Sequence, residues 1–442
     1  MARTVRALAV WANGVRVGVW RLPSRGAMEF AYDDSWRATD EARPLSLSLP
    51  LTLDAHAHKG AAVEAYFDNL LPDSEPIRRR LQDRFHAASR GAGDLLAAIG
   101  RDCVGAVQLL PPDETPADIR KIDAHPLTPA AIAAELAGVT STPPAGELED
   151  FRISIAGAQE KTAFLRHQGK WCRPVGSTPT THIFKLPLGL VGNRQADMRT
   201  SVENEWLCAR IVAAFGIPIA SCEIGEFGAS KVLMVERFDR ALHSSGKFWL
   251  RLMQEDFAQA TGTPWHRKYQ ADGGPGLVEI ARILRGSQES QRDLTTLFRA
   301  QLLFWMLAAT DGHAKNFSIR ILAGGRFQLT PLYDVLSAWP IIGKKANEIP
   351  LEKIKLAMAL PGERPRYLLQ SIQRRHFEAL AKKLGLAAEA NTLIDEMIAA
   401  TPAAIETVSR ALPKGFPQAL LDRTLAGLRK SAHALSKTAK DS

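Results

Sequence analysis

The stretch from Leu302 to Asp334, LLFWMLAATDGHAKNFSIRILAGGRFQLTPLYD, leaves this chain few ways to fold. It opens with an apolar run, Leu302 to Ala309, too short to span a membrane and suited to a buried helix. The run stops at Thr310-Asp311-Gly312, where glycine is expected to end the helix and leave a carboxylate at its edge. Phe317, Ile319 and Ile321 then alternate as a strand. Gly324-Gly325 turns the chain, and Phe327 and Leu329 alternate on the return to Asp334. Counting outward from the turn puts Asn316 opposite Tyr333, one position from Asp334. Opposed Cβ atoms on paired strands lie about 5 Å apart and diagonal ones about 7 Å. The open end of the hairpin is therefore expected to carry an amide oxygen and a carboxylate beside Asp311, even if the register slips by one residue.

Two oxygen ligands that leave most of a coordination shell open suit Mg²⁺, which prefers octahedral oxygen and substrate phosphates. An acid five positions before an Asn, then a second acid after a hairpin, is the order used by protein kinases. There the first Asp accepts the proton of the substrate hydroxyl, and the Asn and second Asp hold metal on the nucleotide. A D-x-x-x-x-N pattern alone recurs by chance, and Asp311 would then merely end a helix. The hairpin gives the pattern its weight.

TDGHAKNFS and LTPLYDVLS resemble the catalytic and metal-binding segments of the HipA family of serine/threonine kinase toxins, and the resemblance runs over nearly the whole chain. HRD and DFG are absent, so the likeness is to HipA and the related lipid-kinase-like fold, not to eukaryotic protein kinases. It implies an α+β, bilobal kinase-like fold with an N-terminal β-rich subdomain and a mostly helical C-terminal lobe. The expected division is an N-terminal α+β subdomain over 1–110, a connecting segment over 111–150, a nucleotide-binding part over 151–240, and a helical lobe with catalytic loop and metal-binding hairpin over 241–442.

The rest of the chain fits this division. Residues 5–20 alternate on both sides of Asn13-Gly14, a strong hairpin signal. FDNLLPDSEPIRRR and LLAAIGRDCVGAVQL resemble the N-terminal subdomain of HipA proteins, and Arg78 to Arg80 read as a solvated helix face. Prolines at 111, 112, 116, 143 and 144 mark boundaries. FRISIAGAQEKTAFL has two strand halves around a small-residue turn, where backbone N–H groups can approach phosphate. One glycine is a weak signal for this. The resemblance makes it the loop over the nucleotide, with Ala156, Gly157, Ala158, Gln159, Glu160 and Lys161 at ATP and Ser154 as the autophosphorylated residue. A phosphate there adds about −2 charge beside a phosphate site, so repulsion would expel the loop or block ATP.

THIFKLP reads as a strand ending in Lys185, an edge lysine by itself. The resemblance makes it the point charge on the α- and β-phosphates, with His182 structural. Thr200-Ser201-Val202-Glu203 reads as a capping box opening a helix, on which Glu203 or Glu205 could pair with the lysine. VERFDR resembles the HipA hinge, with Glu236, Arg237 and Phe238 framing adenine. RLMQEDFAQATG and DGGPG also resemble HipA segments, with no physical role legible in the residues. In the catalytic segments, His313, Lys315, Asn316, Tyr333 and Asp334 are counted with the ATP site, Asn316 and Asp334 with the metal, and Asp311 as the catalytic base. ATP and Mg²⁺ are thus the expected cofactors.

The 442 residues carry a net charge of +9, which permits acidic partners without demanding them. Four cysteines, Cys103, Cys172, Cys208 and Cys222, show no metal spacing and read as reduced thiols of a cytoplasmic protein. No run is long enough for a membrane span. Lys382 and Lys383 could touch DNA phosphates beside a DNA-binding partner, but no DNA-reading motif occurs. The resemblance implies a protein substrate, often an aminoacyl-tRNA synthetase such as the glutamyl enzyme, whose phosphorylation halts translation. It also implies a HipB-type antitoxin that binds DNA. Two rivals stand beside this reading: a degenerate kinase acting as a co-repressor scaffold, and a small-molecule or lipid kinase.

Overall fold

The computed structural model describes residues 6–52, 54, 56–140, 157 and 159–436. The chain forms two compact units. The first draws on Met1–Leu186, Gly225–Arg267 and Ile319–Phe327, the second on Pro187–Ile224, Lys268–Ser318 and Gln328–Ser442.

In the first unit, five antiparallel strands are ordered His58–Lys59, Glu29–Tyr32, Val15–Arg21, Ala7–Ala12, Val107–Leu110. Asn13 and Gly14 take positive φ, 47° and 80°, as a tight two-residue hairpin requires. The Asn13 side chain does more than turn. Its Nδ2 donates to the Arg251 carbonyl at 2.8 Å and its Oδ1 accepts the Arg251 N–H at 2.9 Å. Trp20 stacks on Phe67 at 4.0 Å between ring centroids, which joins the sheet to the helix Ala61–Asp68. The arginine run is not a uniformly solvated face. Arg79 is exposed, but Arg78 is buried, with Nε donating to the Pro72 carbonyl at 2.7 Å and Nη1 to Asp68 at 2.6 Å. Three donors in a fixed fork let a guanidinium satisfy the end of one helix while its plane lies over Trp265.

A second sheet is ordered Cys222–Phe227, Ser230–Glu236, His182–Lys185, Lys161–His167, Lys170–Pro174, Ala124–Pro126. The segment read as a connection supplies its edge strand and a helix, Pro129–Thr140. Ile132 and Leu136 of that helix pack with Phe164, Phe184, Phe227 and Val232. Strand alternation therefore commits one face of the sheet to this core and turns Ala163, Ile183, Lys185 and Leu233 to the other.

Polar groups tie the two sheets of this unit. Asp102 is buried and accepts from Thr180 N at 3.0 Å, while Arg240 Nη2 lies at 2.9 Å and Arg251 Nη2 at 3.1 Å. Arg237 reaches both Asp102, at 3.4 Å, and Asp239, at 2.8 Å, and Asp239 accepts the Gly105 N–H at 2.7 Å. Burial disfavours the charged carboxyl of Asp102, but Arg240, Arg251 and Arg237 overcome it and hold its pKa well below the usual carboxylate range. The RLMQEDFAQATG segment now has a physical role. Arg251 enters this cluster, Glu255 accepts the Leu47 N–H at 2.8 Å and a bond from Ser46, and Gln259 donates to the Tyr66 carbonyl at 3.1 Å. Burial pushes the Glu255 carboxyl up to about 8.

The second unit is mostly helical, with Ser201–Ala214, Leu277–Leu284, Ser290–Met306, Arg374–Leu384, Ala390–Arg410 and Gln418–Ser436. Leu294, Leu297, Phe298, Leu302 and Trp305 recur at helical spacing and are buried. The helix at Ser201 begins as expected, but the Thr200 side chain caps nothing; Ser201 Oγ instead accepts the Leu188 N–H at 2.9 Å. Among the described residues no helix is long and apolar enough to cross a membrane. The four cysteines are buried and form no disulfide.

Removing one partner of a buried charge cluster leaves the others uncompensated. Asp102→Ala should lower the unfolding free energy by about 3–5 kcal/mol in urea titration. A depressed carboxyl pKa stabilises the fold fully above the unfolded-chain value, about 4, and loses that contribution as pH falls below it. Wild type should therefore lose stability below about pH 4 more steeply than Asp102→Ala.

Candidate functional site

The helix before the Asp311 segment ends earlier than the sequence suggests. Its last helical residue is Met306, and Ala308 takes a left-handed φ of 49°. Ala309 N donates to the Phe304 carbonyl at 2.7 Å and Ala308 N to that of Trp305 at 3.1 Å, the paired bonds of a Schellman stop. Ala308, not Gly312, breaks the helix. Gly312 serves a different need, because a Cβ there would lie 2.5 Å from the Phe304 ring.

The loop after that stop is closed on itself. His313 N donates to the Asp311 carbonyl at 2.8 Å, and Asn316 N to that of His313 at 2.9 Å. Asn316 Nδ2 donates to the Asp311 carbonyl at 2.6 Å. That bond fixes the amide and leaves Oδ1 turned from the carbonyl. The Asp311 carboxylate is more than half exposed, while Asn316, His313 and Lys315 are buried. The five-residue spacing thus yields one rigid loop with its carboxylate presented outward.

The hairpin is Ser318–Ile321 with Phe327–Leu329. Leu322 N bonds to the Arg326 carbonyl at 2.7 Å and Thr330 N to that of Ser318 at 2.9 Å. The register is one residue off the count from the turn, so Leu332 rather than Tyr333 falls opposite Asn316. The ends still meet: Tyr333 OH donates to the Lys315 carbonyl at 2.8 Å. Leu332 is held on its other side, donating to Pro218 O and accepting from Ala220 N, each at 2.8 Å. Asp334 follows with φ 62°, a conformation Asp tolerates better than most residues. An amide oxygen and a carboxylate are hard donors of the kind Mg²⁺ takes.

The residues expected at ATP in the first unit are placed less uniformly. Ser154, Ala156 and Ala158 lie outside the described residues. Gly157 has φ 112°, its carbonyl accepts the Asp73 N–H at 3.1 Å, and a Cβ on it would lie 2.5 Å from Lys161 Nζ. Lys161 is directly opposite Lys185 in the sheet, so two ammonium-bearing side chains share the face away from the aromatic core. Gln159 Nε2 donates to the Leu186 carbonyl at 2.5 Å, and Glu160 is paired with Arg80. These two side chains anchor the loop's base.

The Arg237 guanidinium is enclosed in the Asp102 cluster, and its N–H donates to the Thr181 carbonyl at 2.9 Å. Glu236 is exposed, and alternation sets its side chain on the face opposite that of Lys185, so only its backbone could serve a nucleotide on the lysine face. Phe238 is half-buried. His182 is structural: its Nδ1 bonds Thr181 Oγ1 at 2.9 Å, its ring meets Trp171 edge-on, and burial with Arg166 nearby lowers its pKa to about 4. Glu203 and Glu205 are both buried, unlike the solvated carboxylates usual on helices.

One residue escaped sequence reasoning. Tyr269 OH donates to Asp311 Oδ1 at 2.5 Å. Its 42-residue separation from Asp311 leaves no local trace of the contact.

The description of a HipA-like C-terminal domain matches residues 153–405, and that of a HipA N-terminal domain matches residues 8–110. The chain belongs to the HipA family. A Sinorhizobium fredii protein named "Putative kinase Y4mE" is 33% identical over 350 residues, 77% of this chain and 80% of the relative. The serine/threonine-protein kinase toxin HipA of Shewanella oneidensis is 25% identical over 323 residues, 69% of each chain. A solved Shewanella oneidensis complex of HipA, HipB and operator DNA contains a chain that shares the fold of this HipA-family protein. It has a TM-score of 0.77, 20% identity and 97% coverage of both chains. The fold is thus the α+β HipA fold.

Two opposite substitutions test the loop geometry. Gly312→Ala should lose about 1–3 kcal/mol by overpacking against Phe304. Ala308→Gly should gain up to about 1 kcal/mol by relieving the left-handed alanine. Thermal unfolding of both variants checks the pair, and equal signs would contradict the assigned helix stop.

Proposed function

We propose that this HipA-family chain is an ATP- and Mg²⁺-dependent serine/threonine protein kinase. The observation that carries the reading is the loop in which Asn316 is bonded to the Asp311 backbone while the Asp311 carboxylate stands exposed. In this reading Asp311 orients an incoming hydroxyl and takes its proton as the oxygen attacks the γ-phosphorus. The bond to the bridging oxygen breaks and ADP leaves. Asn316 and Asp334 would hold Mg²⁺, whose charge would neutralise the phosphate oxygens. Lys185 and Lys161 supply cations for the phosphates, and the backbone near Gly157 adds N–H donors.

The finer proposals follow the family. The substrate is a protein, with an aminoacyl-tRNA synthetase such as the glutamyl enzyme as the first candidate. Autophosphorylation at Ser154 switches the enzyme off. The partner is a HipB-type DNA-binding antitoxin, through which any DNA contact is made, and the protein acts in the cytoplasm as a growth-halting toxin. The Shewanella oneidensis complex with HipB and operator DNA supports the partner by analogy of fold.

Asp311→Asn should abolish ³²P transfer from labelled ATP to the chain's own serine and to lysate proteins, while ATP binding is retained. Phosphoproteomics of cells expressing wild type against this variant would name the target. Wild-type transfer by the variant would remove the assigned base. Absence of any transfer by the wild type would leave the co-repressor scaffold.

A further inference from the structure

We infer that Tyr269 is a positioning residue for phosphoryl transfer, its hydroxyl holding one oxygen of Asp311 so that the other faces the acceptor. The inference rests on the kinase reading above and adds a residue to it. The Tyr269 hydroxyl lies 2.5 Å from Asp311 Oδ1, and His313 Nε2 is 3.8 Å from the same oxygen. The Tyr269 ring meets the His313 ring edge-on, with centroids 5.0 Å apart. Asp311 is therefore held at one oxygen by a group outside its own loop, which an exposed carboxylate on a single bond from the backbone otherwise lacks.

Tyr269 is itself fixed by the glycine-rich turn that follows it. Its carbonyl accepts the N–H groups of Asp272 and Gly274, each at 3.0 Å. Gly273 takes φ 89°, and Gly276 leaves room for the Gln270 amide, which a Cβ would approach to 2.5 Å. Gln270 Oε1 in turn accepts the Ala359 N–H at 2.8 Å. Ala314 N reaches the Lys268 carbonyl at 3.4 Å, joining the tyrosine's segment to the catalytic loop. The DGGPG stretch, whose role the residues alone did not show, therefore aims Tyr269. A donor on a rigid support fixes the carboxylate's rotation, and misplacing a reacting group by an ångström costs about a hundredfold in rate.

The test compares wild type, Tyr269→Phe, Tyr269→Leu and Asp311→Asn as full chains, reading the single-turnover rate of ³²P incorporation into the chain itself, ATP affinity and thermal unfolding. Tyr269→Phe keeps the ring and loses only the hydroxyl. Its rate should fall about ten- to a hundredfold, with ATP affinity and unfolding temperature unchanged, and Tyr269→Leu should fall at least as far. A Tyr269→Phe rate equal to wild type would overturn the proposal. So would a faster rate, which would mean the hydroxyl blocks the acceptor's place, or a loss of rate accompanied by equal losses of ATP affinity and stability. Transfer by Asp311→Asn at the wild-type rate would instead overturn the base assignment, and no transfer by wild type would overturn the kinase reading and this inference together.

Discussion

The first unit depends on a buried cluster in which two aspartates meet three arginines. Asp102 comes from the N-terminal part of the chain, and Arg237, Asp239, Arg240 and Arg251 from the segment beyond residue 225. Such clusters are not strongly stabilising against an apolar alternative, because desolvation offsets most of the attraction. They are strongly specific. Each guanidinium also donates to carbonyls that a hydrophobic side chain could not satisfy: Arg237 and Arg240 to Cys103, and Arg251 to Ser177. The cluster fixes which strand end meets which turn. That places the strand ending at Glu236 and, through its antiparallel pairing, the strand ending at Lys185.

In the second unit a smaller polar network does the equivalent work around Asp311. Asn204 bonds the Ser337 backbone in both directions, at 2.8 and 2.9 Å, and Ser337 Oγ donates to the Leu307 carbonyl at 2.6 Å. Ala338 N then reaches the Ala308 carbonyl at 3.0 Å, at the residue that stops the helix. The segment after Asp334 is thereby laced to the turn before Asp311. Precise placement of both acids follows from backbone groups that have few alternative partners.

Local chemistry was legible in the sequence wherever one short segment decided it. Asn13-Gly14 made its hairpin, the Gly324-Gly325 ribbon folded with a one-residue shift, and Asp311 and Asn316 share a loop. Long-range polar pairing was not legible. Arg78 looked solvated beside Arg79 because its partners, Asp68, Pro72 and Trp265, are recognisable only once the chain is folded. The pairing of Arg237 with Asp102 and Asp239 was hidden for the same reason. Ala308 in a left-handed conformation broke the propensity rule that pointed to Gly312, because the buried turn is held by bonds on both sides. Tyr269 lacked any signal, since a tyrosine before a glycine-rich turn has many uses.

Lys161 and Lys185 show how packing on one face of a sheet sets the register of side chains on the other. Like charges directly opposed on neighbouring strands disfavour a sheet, and a buried ammonium carries a desolvation penalty as well. Lys161 and Lys185 nonetheless occupy opposed positions, with Lys185 buried. Their strands are registered by the aromatic face behind them, where Phe164 and Phe184 meet edge-on at 4.9 Å. Sliding the pairing by one residue would send those rings out of their core and bring the lysines into it. The aromatic packing therefore fixes both lysines on the opposite face of the sheet.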